Sequence, residues 1–173
     1  MKTLCLLIVG VLLLHACQTS SQKSKPVLLT DTRHYAYPVK QHTQWTTNPD
    51  EHNAAVALSA LKAYELSDTA QLCKYMADTI TVYYNGGTYK GNNHEFMYAI
   101  KANVKHFKNL HLEVKDFKSE ISSYLQQERV LIWHTQYITN VKSLPDSADV
   151  FNDARLKDGK IIAWYIYMRR YNR

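Results

Sequence analysis

The sequence predicts an α+β domain in which three helices are segregated onto one face of a curved antiparallel sheet. Three observations carry that expectation. Helix-start signals occur at Asn48-Pro49-Asp50-Glu51, at Asp68 and at Asn92, all in the first half of the domain. From Leu110 onward the apolar period changes from the 3.6 of a helix to the 2 of a strand. The chain then closes on Val150–Tyr171, two β-rich runs joined by Lys157-Asp158-Gly159-Lys160, where Asp-Gly supplies the positive φ of a tight hairpin.

In chain order, Asn48 as N-cap, Pro49 at the first helical position and Glu51 at the third predict a helix running to about Leu66. Ala54, Ala57, Leu58, Leu61 and Tyr64 form its apolar stripe. Asp68, with Gln71 three residues on, starts a shorter helix that turns Leu72, Tyr75 and Met76 inward, and Cys73 is expected there as a small core residue. Asp78–Tyr84 alternates with high β-propensity and ends at the turn Asn85-Gly86-Gly87. A third helix follows Asn92, with Phe96, Met97, Ile100, Val104 and Phe107 on its buried face and Lys105, His106 and Lys108 at its negative pole.

Leu110, Leu112 and Val114 open a strand that an interruption near Phe117 splits, with Ile121–Leu125 continuing it past a bulge. Arg129–Val141 is a long strand and Ser143–Asp146 a loop. The last strand is apolar on both faces: Ile161, Ala163, Tyr165 and Tyr167 on one, Ile162, Trp164, Ile166 and Met168 on the other. Such a strand is expected to lie inside the sheet, covered on both sides, with one face available to line a cavity.

A chain of 173 residues with 46% hydrophobic content, three Trp and thirteen Tyr suffices for one globular domain plus appendages. Three regions are expected: a leader over 1–16, a tether over 17–48 and the folded domain over 49–173. The leader reads as a signal peptide, with Lys2 followed by the apolar run Leu4–Leu14. That run makes a helix of only about 17 Å, too short for a hydrocarbon core of about 30 Å. The ending Leu14-His15-Ala16-Cys17 resembles the lipobox of bacterial lipoproteins. The resemblance implies cleavage before Cys17, acylation of Cys17, and attachment to the cell envelope, with Gln18 favouring the outer membrane. Two or three acyl chains, at about 0.8 kcal/mol per buried CH₂, anchor stably. The tether's Thr19–Lys25 is polar and expected to be flexible.

With Cys5 in the leader and Cys17 acylated, Cys73 has no partner for a disulfide. The formal charge is +6, one less once Lys2 leaves with the leader, but the basic residues are scattered and no basic stripe interleaves with aromatics. Nucleic acid is therefore not an expected partner. There is no His-Glu-x-x-His, paired-Cys or clustered-carboxylate motif, so no metal or other cofactor is expected.

The order of two helices, Tyr75-Met-Ala-Asp78-Thr-Ile-Thr-Val82, a Lys90-Gly91 before a third helix, and a strand pair turning at Lys157-Asp158-Gly-Lys-Ile161 resembles the nuclear transport factor 2-like superfamily, in particular its SnoaL-like group. The likeness covers roughly residues 50–171. It implies a cone: a bent sheet wraps the helices, leaves a pocket at the open end, and pairs through its convex face as a homodimer. In the family's isomerases a carboxylate base follows the first strand, where this chain has Tyr84. An oxyanion-donating acid sits where this chain has Asn152, and a phenol donor falls near Ala60. A Tyr, with a pKa of about 10, cannot replace a carboxylate base near neutral pH. Isomerase chemistry is thus disfavoured.

Tyr84, His134, Asn152 and Trp164 are the expected pocket residues. Trp164, Tyr84 and Tyr165 are candidates for its aromatic wall. His134 is either a satisfied core histidine or a proton-transfer group, and His94, His106 and His111 are expected to be solvated. Asp153, on the face opposite Asn152, is expected at the surface. Three functional readings follow: a lipid-anchored protein that is non-catalytic or binds a small apolar ligand; a dehydratase-, isomerase- or cyclase-type enzyme with His134 as acid–base and Asn152 as donor; and an accessory subunit docking a protein partner through the sheet face.

Overall fold

The computed structural model describes residues 44–142 and 144–171. The leader, Cys17 and the tether up to residue 43 lie outside the described residues. Three helices, α1 (His52–Glu65), α2 (Thr69–Tyr75) and α3 (Asn93–Val104), accompany seven strands: β1 (Trp45–Thr47), β2 (Met76–Tyr84), β3 (Gly87–Asn92), β4 (Phe107–Ser122), β5 (Gln127–Asn140), β6 (Pro145–Lys157) and β7 (Lys160–Arg170). The strands form one open sheet in the order β1-β4-β5-β6-β7-β2-β3. Its pairs are antiparallel except β2–β7, which is parallel, so the sheet is mixed. After the β2–β3 hairpin, α3 carries the chain across to β4, and the antiparallel run β4 to β7 then returns β7 beside β2 in parallel.

The caps of α2 and α3 form as their sequences predict. Asp68 accepts the Gln71 N–H at 2.9 Å, and Asn92 accepts the His94 N–H at 2.8 Å. The start of α1 differs. Asn48 is drawn into the sheet, its N–H donating to the Ser119 carbonyl at 2.9 Å while its side chain accepts from Asp50 N–H at 3.0 Å. Asp50 in turn accepts the His52 N–H at 2.8 Å. Two successive side-chain turns thus use up the residues expected to open the helix, and α1 begins at His52. Along α1 the buried residues are mostly small, Ala54, Val56, Ala57, Ala60, Leu61 and Ala63, which lets the helix lie close to the sheet.

β1 and β3 are edge strands that the sequence does not announce. Trp45–Thr47, expected in the tether, pairs with Glu120–Ser122. Gly87–Asn92 pairs with Thr79–Tyr84 across the expected turn. The expected split of β4 is a register shift between Val114 and Asp116 within one continuous strand. Phe107 begins that strand instead of ending α3, and Pro145-Asp146 belongs to β6 instead of a loop.

The β6–β7 hairpin turns at Asp158 and Gly159, with φ of 51° and 69°, the left-handed pair that Asp-Gly favours. β7 is an interior strand, flanked by β6 and β2. Its register slips by one residue against Arg155-Leu156, where Ile162 is left without a partner. The slip places Ile161 and Trp164 together in the core instead of on opposite faces. The outer face of β7 is less covered than expected, for Tyr167 is 57% exposed. The core lies on the other face, between α1–α3 and Val130, Ile132, Ala154, Leu156 and Trp164.

Candidate functional site

Between the helices and the inner face of the sheet lies a cavity of about 410 Å³. Leu61 and Tyr64 of α1, Phe96, Ala99, Ile100 and Asn103 of α3, and inward-facing residues of β2, β5, β6 and β7 line it. Tyr84, His134, Asn152 and Trp164 all border this space. Its lining includes no Asp, Glu, Lys or Arg. Tyr84 is 49% exposed and stands at the open end, while Asn152 and His134 are almost wholly enclosed at 2% and 3%.

The strand register sets the geometry of the inner group. Asn152 lies opposite Ile132 on β5 and Ile166 on β7, so His134 and Trp164 are its diagonal neighbours on the same face. Trp164 Nε1–H donates to Asn152 Oδ1 at 2.9 Å, and Asn152 Nδ2 lies 3.1 Å from His134 Nδ1. An indole N–H can only donate, which turns the amide oxygen toward Trp164 and the amide nitrogen toward His134. His134 Nδ1 is therefore the acceptor, and a neutral ring carries its proton on Nε2. Burial lowers the His134 pKa to about 4, so the ring is neutral near pH 7.

Chemically this is a wall of fixed hydrogen-bonding groups without a carboxylate. The one basic lone pair of His134 is held by Asn152, and Nε2–H is available only to donate. Burial also raises the Tyr64 phenol above its ordinary pKa, so it too stays protonated. Ala60, where the family isomerases' phenol donor falls, is sealed in the core; Tyr64, one helical turn later, borders the cavity. Gln136 and Asn103 complete the polar positions on the lining. Gln136 follows His134 by two residues and shares its face, a period-2 signal that could have found it; Asn103 carries none.

Two expectations are corrected. Tyr165 is not part of the aromatic wall: it faces outward and stacks on Tyr83, with ring centroids 4.3 Å apart. Asp153 does face outward but is only 8% exposed. Arg155 holds it with two hydrogen bonds, at 2.7 and 2.8 Å, and Arg129 lies 3.7 Å away. Arg129 also pairs with Glu120 at 2.6 Å and packs over the Trp45 ring at 4.0 Å. Of the solvated histidines, His111 is exposed but pairs through Nδ1 with Glu65 at 3.0 Å. Glu65 is enclosed, which raises its pKa, but hydrogen bonds from Lys62, the Leu112 N–H and His111 outweigh that and hold it below the usual range. Among the described residues no three His, Cys, Asp or Glu side chains stand close enough to hold a metal ion.

No family model and no curated protein matches the sequence. Solved structures do match the domain. An LEH-like epoxide hydrolase from M. tuberculosis is 13% identical with a TM-score of 0.58, over 70% of this chain and 86% of that one. An NTF2-like protein of unknown function from Burkholderia pseudomallei is 18% identical, TM-score 0.56, over 68% and 91%. A cystatin-fold protein from Novosphingobium aromaticivorans is 18% identical, TM-score 0.52, over 66% and 97%. The domain has the nuclear transport factor 2-like fold, the one the SnoaL-like resemblance implied. At these identities the likeness defines the fold alone.

The tautomer and the pKa of His134 are measurable. Its folded pKa of about 4 lies below an unfolded value of about 6.5, so below pH 6.5 the unfolded chain binds the proton that the folded chain refuses. Stability from this group is fully present above about pH 6.5 and falls as the pH drops toward 4, by about 3 kcal/mol in all. Urea unfolding at pH 7 and 4.5 should show a larger loss for wild type than for His134→Gln. An equal loss in both would contradict a buried, neutral His134.

Proposed function

We propose that this protein is a lipid-anchored component of the bacterial cell envelope whose domain binds a small apolar, ring-bearing ligand and does not catalyse its conversion. The observation that carries the binding reading is the 410 Å³ cavity, lined by aliphatic and aromatic side chains without a charge. It is the size and character of a small-molecule pocket. The hydrogen-bonded row Trp164–Asn152–His134 adds directionality: a ligand carbonyl or hydroxyl is recognised by the donors that this row leaves on the wall. The epoxide hydrolase among the structural neighbours is an enzyme by its name, but the cavity lining of this chain has no carboxylate, and the Nδ1 lone pair of its one histidine is engaged by Asn152.

The outer face supports self-association. Trp133, Phe151 and Tyr167 form a ladder across β5, β6 and β7, with centroids 5.0 and 5.9 Å apart, and both Trp133 and Tyr167 are exposed. An exposed aromatic strip on a sheet face is characteristic of an interface, and a second copy of the chain is its proposed occupant. The anchor rests on the Leu14-His15-Ala16-Cys17 ending. Among the described residues no helix is long and apolar enough to cross a membrane.

Three outcomes are expected. A panel of steroids and aromatic polyketides should contain members that raise the melting temperature by several degrees near saturation, since about 100-fold excess over Kd adds about 2.7 kcal/mol. Ile100→Trp, which fills the cavity, should abolish the rise; a panel without effect on wild type would remove the binding reading. Sedimentation should show a dimer that Trp133→Glu with Tyr167→Glu converts to folded monomer, and a wild-type monomer at micromolar concentration would refute the interface. Metabolic labelling with a fatty-acid analogue should mark the wild type and be lost in Cys17→Ala; label that persists in the variant excludes the anchor.

A further inference from the structure

The rows of the inner sheet face give the cavity a polarity along its length. Val82 pairs with Trp164, Trp164 lies opposite Ala154, and Met76 pairs further down with Ile161. With Leu72 of α2, these make one end of the lining apolar except for the indole N–H, which Asn152 accepts. Two rows on from Trp164 comes His134, opposite Val150, and one row beyond it Gln136, opposite Ala148. Asn103 stands at that second end, since the chain leaving α3 meets the chain leaving β5: Val141 N–H donates to the His106 carbonyl at 3.0 Å.

His134 and Gln136 are 3% and 5% exposed, yet both keep hydrogen-bonding atoms that no group of the protein meets. The reason lies in the register. His134 has Val114 and Val150 across from it, and Gln136 has Leu112 and Ala148, so neither neighbouring strand offers a side-chain partner. Asn152 engages Nδ1 of His134 and leaves Nε2–H, while Gln136 keeps its whole amide, oxygen and NH₂. Thr135, which lies between them and faces the other way, is by contrast bonded to Asp149 at 3.0 Å. The unmet atoms of His134 and Gln136 are not sealed. Among the described residues, the side-chain atoms both sealed and unmet are Asn93 Oδ1 and Ser119 Oγ. Buried polar groups are nearly always met, so two unmet ones in file on a cavity wall point to a ligand that meets them. An ion would find no counter-charge there, because the lining includes no Asp, Glu, Lys or Arg.

We propose that the cavity takes an uncharged, ring-bearing molecule whose polar end is a carbonyl with a hydrogen-bond donor beside it, a carboxamide being the simplest case. This deepens the binding reading above and rests on it. The rings lie against Leu72, Met76, Val82 and Trp164. The carbonyl accepts from His134 Nε2–H, and the donor beside it is met by the Gln136 oxygen one pleat further on, about 7 Å along the strand. Gln136 is thus a specificity-determining residue, and the ligand enters rings first.

Calorimetric titration of the full-length protein at pH 7 with 2-acetonaphthone, 2-naphthamide and 2-naphthoate compares a ketone, an amide and an anion on one ring body. The amide should bind about tenfold tighter than the ketone, the worth of one added hydrogen bond. The carboxylate should bind at least about tenfold more weakly than the amide. Gln136→Met keeps the length of the side chain and removes its amide. It should erase the amide's advantage, leave the affinity for the ketone unchanged, and raise the melting temperature of the ligand-free protein. Equal affinity for all three compounds, an amide preference that survives Gln136→Met, or a lower melting temperature in that variant would overturn this inference and leave the cavity a ligand site. Silence from all three while the steroid panel binds would overturn it too; silence from the panel as well removes the binding reading with it.

Discussion

An asparagine shut away from water must find a donor for its oxygen and an acceptor for its NH₂, and Asn152 finds them on the two strands beside it. Trp164 on β7 supplies the donor and His134 on β5 the acceptor. Each unmet group would cost about 1–3 kcal/mol, so the row is worth most as a condition on pairing. A slip of one residue between β5 and β6, or between β6 and β7, would turn Asn152 to the outer face and strand both partners. The same two bonds that fix the register of the central strands therefore fix the tautomer of His134. Ala154, directly opposite Trp164, is small and leaves the indole room on that face.

The outer face is held by a different means. Glu120, Arg129, Asp153 and Arg155 alternate in sign across β4, β5 and β6, and the Trp45 ring lies under the Arg129 guanidinium. Individually exposed ion pairs contribute little, but these are largely enclosed and share partners, and removing one charge would leave the others buried without compensation. β1 is thereby attached to the sheet by more than its three residues of pairing. Inside, the sheet is organised by neutral hydrogen bonds, and outside by charge.

Much of this was legible because each feature had a local cause. Asp68 and Asn92 act on an N–H two or three residues away, so their caps needed no knowledge of the fold. Asp158-Gly159 dictates its own turn, and period 2 in β5 put His134 on the inner face. What was not legible depended on distant residues. Asn48 looks like a helix cap until Ser119 claims its N–H. Trp45–Thr47 and Gly87–Asn92 are too short or too glycine-rich to read as strands without the neighbour that pairs with them. Asp153 reads as surface until two arginines from other positions enclose it. Tyr165 was misassigned because aromatic character on both sides of β7 does not say which side carries the cavity; the unpartnered Ile162 settles that locally.

The absence of a carboxylate from the cavity lining and the wiring of His134 lead to one chemical consequence. A general base must have a lone pair free to take a proton, and the lone pair of His134 Nδ1 is engaged by Asn152 inside a site where a charged imidazolium is strongly disfavoured. Proton abstraction there would have to break a buried hydrogen bond and create a buried charge at once. Donation from Nε2–H to a ligand oxygen requires neither. In the proposed binding reading, that donation is what recognises an acceptor on an otherwise apolar molecule. The row of tryptophan, asparagine and histidine thus engages the Nδ1 lone pair of His134 through the same contacts that satisfy Asn152.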